Sequence, residues 1–131
     1  MAEKRQNFST GSNFEKSFGY SRVVKVGEQV FVSGTVGLNY ETGAISDDPV
    51  EQFEQSVANI RRALEMAGTR LEDVVQLVTY VTEPEVMQVI GPSLKDTFGA
   101  ILPTNTALVV GFPFPGIKLE LQVTAIVGCG D

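Results

Sequence analysis

The chain has no histidine and a single cysteine, so any chemistry must come from carboxylates, phenols, hydroxyls, amides and arginines. This excludes Ser-His-Asp and Cys-His catalysis, imidazole zinc sites and a histidine pH switch. It also excludes an internal disulfide and any metal site built from cysteine alone. Cys129 stands between Gly128 and Gly130 with no basic neighbour to stabilise a thiolate, and reads as an incidental free thiol. Glu51, Glu54, Glu65 and Glu72 fit a solvated helix face. No set of carboxylates is spaced closely enough to hold a metal, and no cofactor is expected.

Of the remaining groups, Glu120 lies in a β-rich run. By sequence alone it reads as a solvated strand glutamate paired with Lys118 or Lys25. Tyr20 and Arg22 are two residues apart in an extended run and so share a face. Together they offer a phenol and a positive charge; a packed aromatic and a solvated edge arginine are the plainer alternatives. Ser33 and Thr106 carry hydroxyls. Gly34 permits close approach, so the Ser33-Gly34 amides can meet a ligand oxygen. Asn105 can donate hydrogen bonds but has no charge, and can equally satisfy a strand end. Phe112 and Phe114, in a proline-rich loop, either wall a cleft or pack the loop.

These residues need a scaffold. Residues 1–19 are polar and predict an extended arm. Tyr20 to Val26 and Gln29 to Gly34 are β-rich runs joined by Gly27-Glu28, which is hairpin spacing. Leu38 to Asp47 is a loop with a turn at Glu41-Thr42-Gly43. Asp48-Pro49-Val50-Glu51 predicts a helix start: a capping aspartate, a proline suited to the first position, and a glutamate to complete a capping box. Phe53, Val57, Ile60 and Leu64 then form one apolar stripe, and Gly68 can close the helix in the left-handed conformation. Asp73 to Thr82 predicts a strand, and Thr82-Glu83-Pro84-Glu85 a second cap. A helix carrying Val86, Val89, Leu94 and Phe98 follows, kinked or split at Gly91-Pro92. Asn105 to Phe112 and Ile117 to Val127 predict the last strands.

The order ββαβαββ implies one α+β domain with a mainly antiparallel sheet and two helices on one face. The other sheet face carries Thr, Gln, Tyr and Val with few charges, where water-facing strands usually carry more. That predicts self-association. With 131 residues there is no room for a second core. The net charge of −6 and the absence of a basic run argue against nucleic acid as a partner. The sequence lacks a signal-peptide core and any apolar stretch long enough for a membrane span, so no membrane partner and a cytoplasmic location are expected.

Several segments in order resemble the RidA (YjgF) family of imine/enamine deaminases, from about Phe18 to Ala125. Gly19-Tyr20-Ser21 resembles the family's G-P-Y-S, without its proline. Val32-Ser33-Gly34 is similar to v-x-S-G, and Glu41-Thr42-Gly43 to p-E-T-G. Gln55 and Asn59 match residues of the family's first helix. Ala67-Gly68 with Leu71-Glu72-Asp73-Val74-Val75 matches a-G-x-x-l-x-d-V-v. Tyr80-Val81-Thr82 and Phe98-Gly99 fit next. Pro103-Thr104-Asn105-Thr106 stands at P-A-R-S/T, and Leu119-Glu120-Leu121-Gln122 at v-E-I/V-E.

The resemblance implies a chorismate-mutase-like fold with a six-stranded sheet, and a homotrimer whose sheets form a central barrel with clefts between subunits. It implies hydrolytic deamination of an imine or enamine on a small-molecule substrate, releasing ammonia. Glu120 takes the place of the glutamate that holds the water, and Tyr20 that of the cleft tyrosine. Asn105 replaces the arginine that grips the substrate carboxylate. The alternative is a trimer that binds a small ligand without turning it over. The family's older label as a ribonuclease or translation inhibitor fits poorly with the charge.

Overall fold

The computed structural model describes residues 3–131. Six strands form one sheet: β1 (Arg5–Phe8), β2 (Val23–Val26), β3 (Gln29–Thr35), β4 (Val74–Val81), β5 (Thr104–Val109) and β6 (Leu119–Ile126). Their order is β1-β2-β3-β6-β4-β5. All neighbours are antiparallel except β4 and β5, which run parallel. Parallel neighbours need a crossover, and α3 (Pro84–Phe98) supplies it. With α2 (Pro49–Met66), it covers one sheet face.

The core follows from strand alternation. Val30, Val32, Leu77, Val81, Leu119, Leu121, Val123 and Ala125 meet the α2 stripe of Phe53, Val57, Ile60 and Leu64, all buried. Asp48 caps α2 by accepting from the Val50 amide at 3.0 Å, and Gly68 follows its end at φ 77°. The expected capping box does not form. Glu51 instead accepts from the Ser46 hydroxyl, which also accepts from the Asp48 amide. Glu83, at the start of α3, makes no side-chain cap bond.

Two further expectations are corrected. The arm, whose first two residues lie outside the described ones, is not simply extended: it forms β1 and the short helix α1 (Asn13–Phe18). Ser12 caps α1, Gly19 ends it at φ 73°, and Glu15 is its buried residue. Helix α3 is unbroken through Pro92. The carbonyl that Pro92 leaves without an amide belongs to Gln88, on the exposed side, where water can serve it. On β4, Val74 is buried with Leu77, because a register shift between Val74 and Gln76 interrupts the strict alternation.

The face away from the helices carries few charges, as the sequence predicts. Tyr80 donates to Gln122 at 2.7 Å and Thr124 to Gln76 at 3.3 Å, and Phe31 is exposed. Strand β5 is exposed along its whole length.

Candidate functional site

The polar residues of α2 fix the chain just beyond the β2–β3 hairpin. Ser56 donates to the Thr35 carbonyl at 2.8 Å, and the Asn59 amide donates to the carbonyls of Val36 and Leu38. A Cβ on Gly37 would collide with the Gln52 backbone, so only glycine lets this loop lie on the helix. Gln52 also bonds the carbonyls of Ser46 and Gly116 and accepts from the Lys118 amide, tying down the start of β6. The ends of β3 and β6 that carry Ser33, Gly34 and Glu120 are thereby fixed to α2.

Glu120 lies on the sheet face away from the helices, opposite Tyr80 in register. Its carboxylate sits directly against Gly34: a Cβ there would stand 2.5 Å from Oε1. Burial pushes its pKa above the usual carboxylate range, and the Arg22 charge only partly offsets this. Neither lysine considered from sequence pairs with it. Lys25 donates to the Ala67 carbonyl at 2.9 Å, and Lys118 to that of Asp47.

Arg22 is buried just before β2, beside the end of β3. Its guanidinium donates to the carbonyls of Ser33 (3.4 Å) and Gly34 (2.9 Å) and to the Thr35 hydroxyl (3.1 Å). Glu15 of α1 stands 3.6 Å from its Nε. The arginine's charge is therefore engaged by the protein's own groups, where the sequence suggested an unengaged cation. The half-exposed Tyr20 ring lies 5.8 Å from the guanidinium. Ser33 donates its hydroxyl to the Ser21 carbonyl and its amide to that of Arg22, so both of its donors are used.

Asn105 and Thr106 are elsewhere. They lie on β5, with β4 between them and β6. Asn105 turns to the helix side, where the Thr79 hydroxyl donates to its Oδ1 at 3.0 Å. Thr106 pairs in register with Val78 and faces the same side as Glu120. The protomer thus gathers Tyr20, Arg22, Ser33, Gly34 and Glu120 but not Asn105. Phe114 packs edge-on against Phe14 of α1, with ring centroids 5.0 Å apart, so this loop aromatic borders the arm.

Glu15 was not anticipated from the sequence. Burial raises its pKa, but hydrogen bonds from Ser9 and Thr10 and the Arg22 charge outweigh this and bring it below the ordinary value. Cys129 is exposed, and its thiol faces the Asp73 carbonyl. Among the described residues no group of three or more Cys, Asp or Glu side chains is placed to hold a metal, and no helix is long and apolar enough to cross a membrane.

The family model for endoribonuclease L-PSP matches residues 10–127. A RutC family protein of Pyrococcus abyssi is 31% identical over 81% of this chain and 84% of its own. A 2-iminobutanoate/2-iminopropanoate deaminase of Salmonella typhimurium is 24% identical over 82% of this chain and 86% of its own. Among solved structures, Rv2704 of Mycobacterium tuberculosis, a member of the YjgF/YER057c/UK114 family, superposes with a TM-score of 0.84. It is 34% identical and covers 95% of this chain and all of its own.

Proposed function

Because the chain belongs to the endoribonuclease L-PSP family, the RidA/YjgF group of proteins, we propose that it hydrolyses an imine or enamine on a small metabolite and releases ammonia. The observation that carries this reading is the Glu120 carboxylate, half-buried against Gly34 with a raised pKa. A carboxylate of raised pKa is a stronger base than a free one and suits proton transfer near neutral pH.

In this reading a water held by Glu120 adds to the C=N carbon and gives up a proton to the carboxylate. Glu120 returns the proton to nitrogen. The hydroxyl proton then passes through the carboxylate to the same nitrogen as C=O forms and the C–N bond breaks, so that ammonia leaves and Glu120 is again ionised. Gly34 gives the backbone amide nearest the reacting group, and Tyr20 offers a hydroxyl. Arg22 is a positioning residue, holding the Ser33 and Gly34 carbonyls.

The cleft is completed by a second copy of the chain in a homotrimer. Support comes from the uncharged sheet face and from β5, exposed along its length with Leu108 and Val109 uncovered. Asn105 and Thr106 would enter from that strand. Asn105 favours one other reading. With no positive charge where the resemblance places an arginine, the trimer binds a small ligand without turnover.

The test is ammonia release from imino acids generated in situ by an amino-acid oxidase. Acceleration over the spontaneous rate that is lost in Glu120→Gln supports hydrolysis. Saturable ligand binding with no acceleration supports the second reading.

A further inference from the structure

We infer that the cavity between the arm, the loop after β3 and α2 is a binding site for a small monocarboxylate with a short apolar tail. The cavity shares Arg22 with the candidate site, but Glu120, which faces the opposite side of the sheet, does not line it, and the inference does not rest on the deaminase reading. The cavity has a volume of about 520 Å³, within the range of small-molecule sites.

Its chemistry follows from which lining groups are already used. The Asn59 amide nitrogen serves two carbonyls, and its oxygen accepts from Gln55. The hydroxyls of Ser9 and Thr10 both go to Glu15. These residues are walls. Three donors remain: Arg22, Tyr40 and Arg62.

Arg22 is 6% exposed, and its buried Nε has no hydrogen-bond partner among the described residues. The Glu15 carboxylate stands 3.6 Å from that Nε, an ion pair too long for a hydrogen bond, so the donor can still take a closer acceptor. Arg62 makes no salt bridge among the described residues. Tyr40 lies close enough to both arginines to feel their charge. Burial still holds its hydroxyl above the ordinary pKa, so it stays protonated and can donate.

Three donors and no lone cationic ligand partner suit a carboxylate. Ala63 and Met66, one turn apart on α2, give the apolar surface for a tail. Glu65, also on the lining, disfavours a second negative charge on the ligand.

The experiment is an amide chemical-shift titration of the full chain with butyrate, inorganic phosphate and butylammonium. Saturable butyrate shifts at Tyr40, Arg62 and Met66 are expected, with weaker phosphate binding and none for butylammonium. Arg62 is exposed, so Arg62→Gln should fold, and it should weaken butyrate about 10-fold or more, the loss of one charged hydrogen bond. Tyr40→Phe should weaken it roughly 5-fold, as for a neutral hydrogen bond. Three results would overturn the inference: no saturable shift in the millimolar range, butyrate affinity unchanged in Arg62→Gln, or shifts confined to Tyr20, Gly34 and Glu120.

Discussion

Asn105 and Glu120 face opposite sides of one sheet. Asn105 meets Thr79 on the helix side, while Glu120 lies against Gly34 on the other side. With β4 between their strands, they are also separated by about 10 Å in the sheet plane. One small substrate cannot touch both in a single protomer. If both act on it, another copy of the chain must bring its β5.

The first expectation is therefore an assembly mass of three times the 14.1 kDa of the chain. Light scattering at micromolar concentration measures it. A single-chain mass would remove the proposed cleft.

Asn105→Arg should raise hydrolysis of 2-iminopropionate. A charge-assisted hydrogen bond contributes about 1.5–3 kcal/mol against about 1 for a neutral one. The difference corresponds to roughly a 5- to 30-fold gain in kcat/KM. Weak turnover by the unmodified protein and a gain in the variant are the expected pair of results. Robust turnover without the substitution, unaffected by Glu120→Ala, would discard both roles.

For Glu120, activity should fall as acid protonates the carboxylate, at a pH above the usual glutamate range because burial raises its pKa. The stability sign is the reverse of a salt-bridged carboxylate. The folded state binds this proton more tightly than the unfolded state, so ionised Glu120 lowers stability as pH rises. Glu120→Gln should thus abolish hydrolysis while leaving stability at neutral pH unchanged or higher. Paired activity and denaturation measurements would detect the opposite, a loss of both.

Glu15 behaves in the other direction. Its folded pKa is below the reference 4.5, so its contribution is present above that value and disappears as pH falls through the folded pKa. Glu15→Gln leaves Arg22 without its carboxylate in a buried site. The expected cost at neutral pH is on the order of 3–5 kcal/mol, shrinking in acid. Urea midpoints compared at neutral and acid pH would settle it; a difference independent of pH would contradict the ion-pair account.

Leu64→Ala should cost about 2–5 kcal/mol in chemical denaturation, since Leu64 is fully buried under the sheet. A change under about half a kcal/mol, the range of surface substitutions, would mean that the α2 stripe is misplaced.

Local signals were legible where the responsible atoms are close in sequence. The Asp48 cap, the Gly68 stop and the spacing from Phe53 to Leu64 each act within a few residues. The arm was not, because β1 is polar and exists by pairing with β2, and α1 is fastened by Glu15 to an arginine on another element. The Val74 register shift and the diversion of Glu51 to Ser46 likewise depend on partners that periodicity does not encode. At the candidate site, motif order points to Glu120, Tyr20 and the Ser33-Gly34 pair. That Arg22 is taken up by backbone carbonyls, and that Tyr40 and Arg62 share a cavity with it, became visible only with the chain folded.

The edge position of β5 sets how freely its residues can change. Asn105 belongs to an exposed edge strand with one neighbour, so replacing it costs its own protomer chiefly the hydrogen bond from the buried Thr79 hydroxyl. Glu120 has strands on both sides and a glycine pressed against its carboxylate, so almost any replacement must be accommodated by β3. In the proposed cleft, substrate preference can therefore drift through position 105 while position 120 stays tied to the architecture. The two halves of the site are open to selection at different rates.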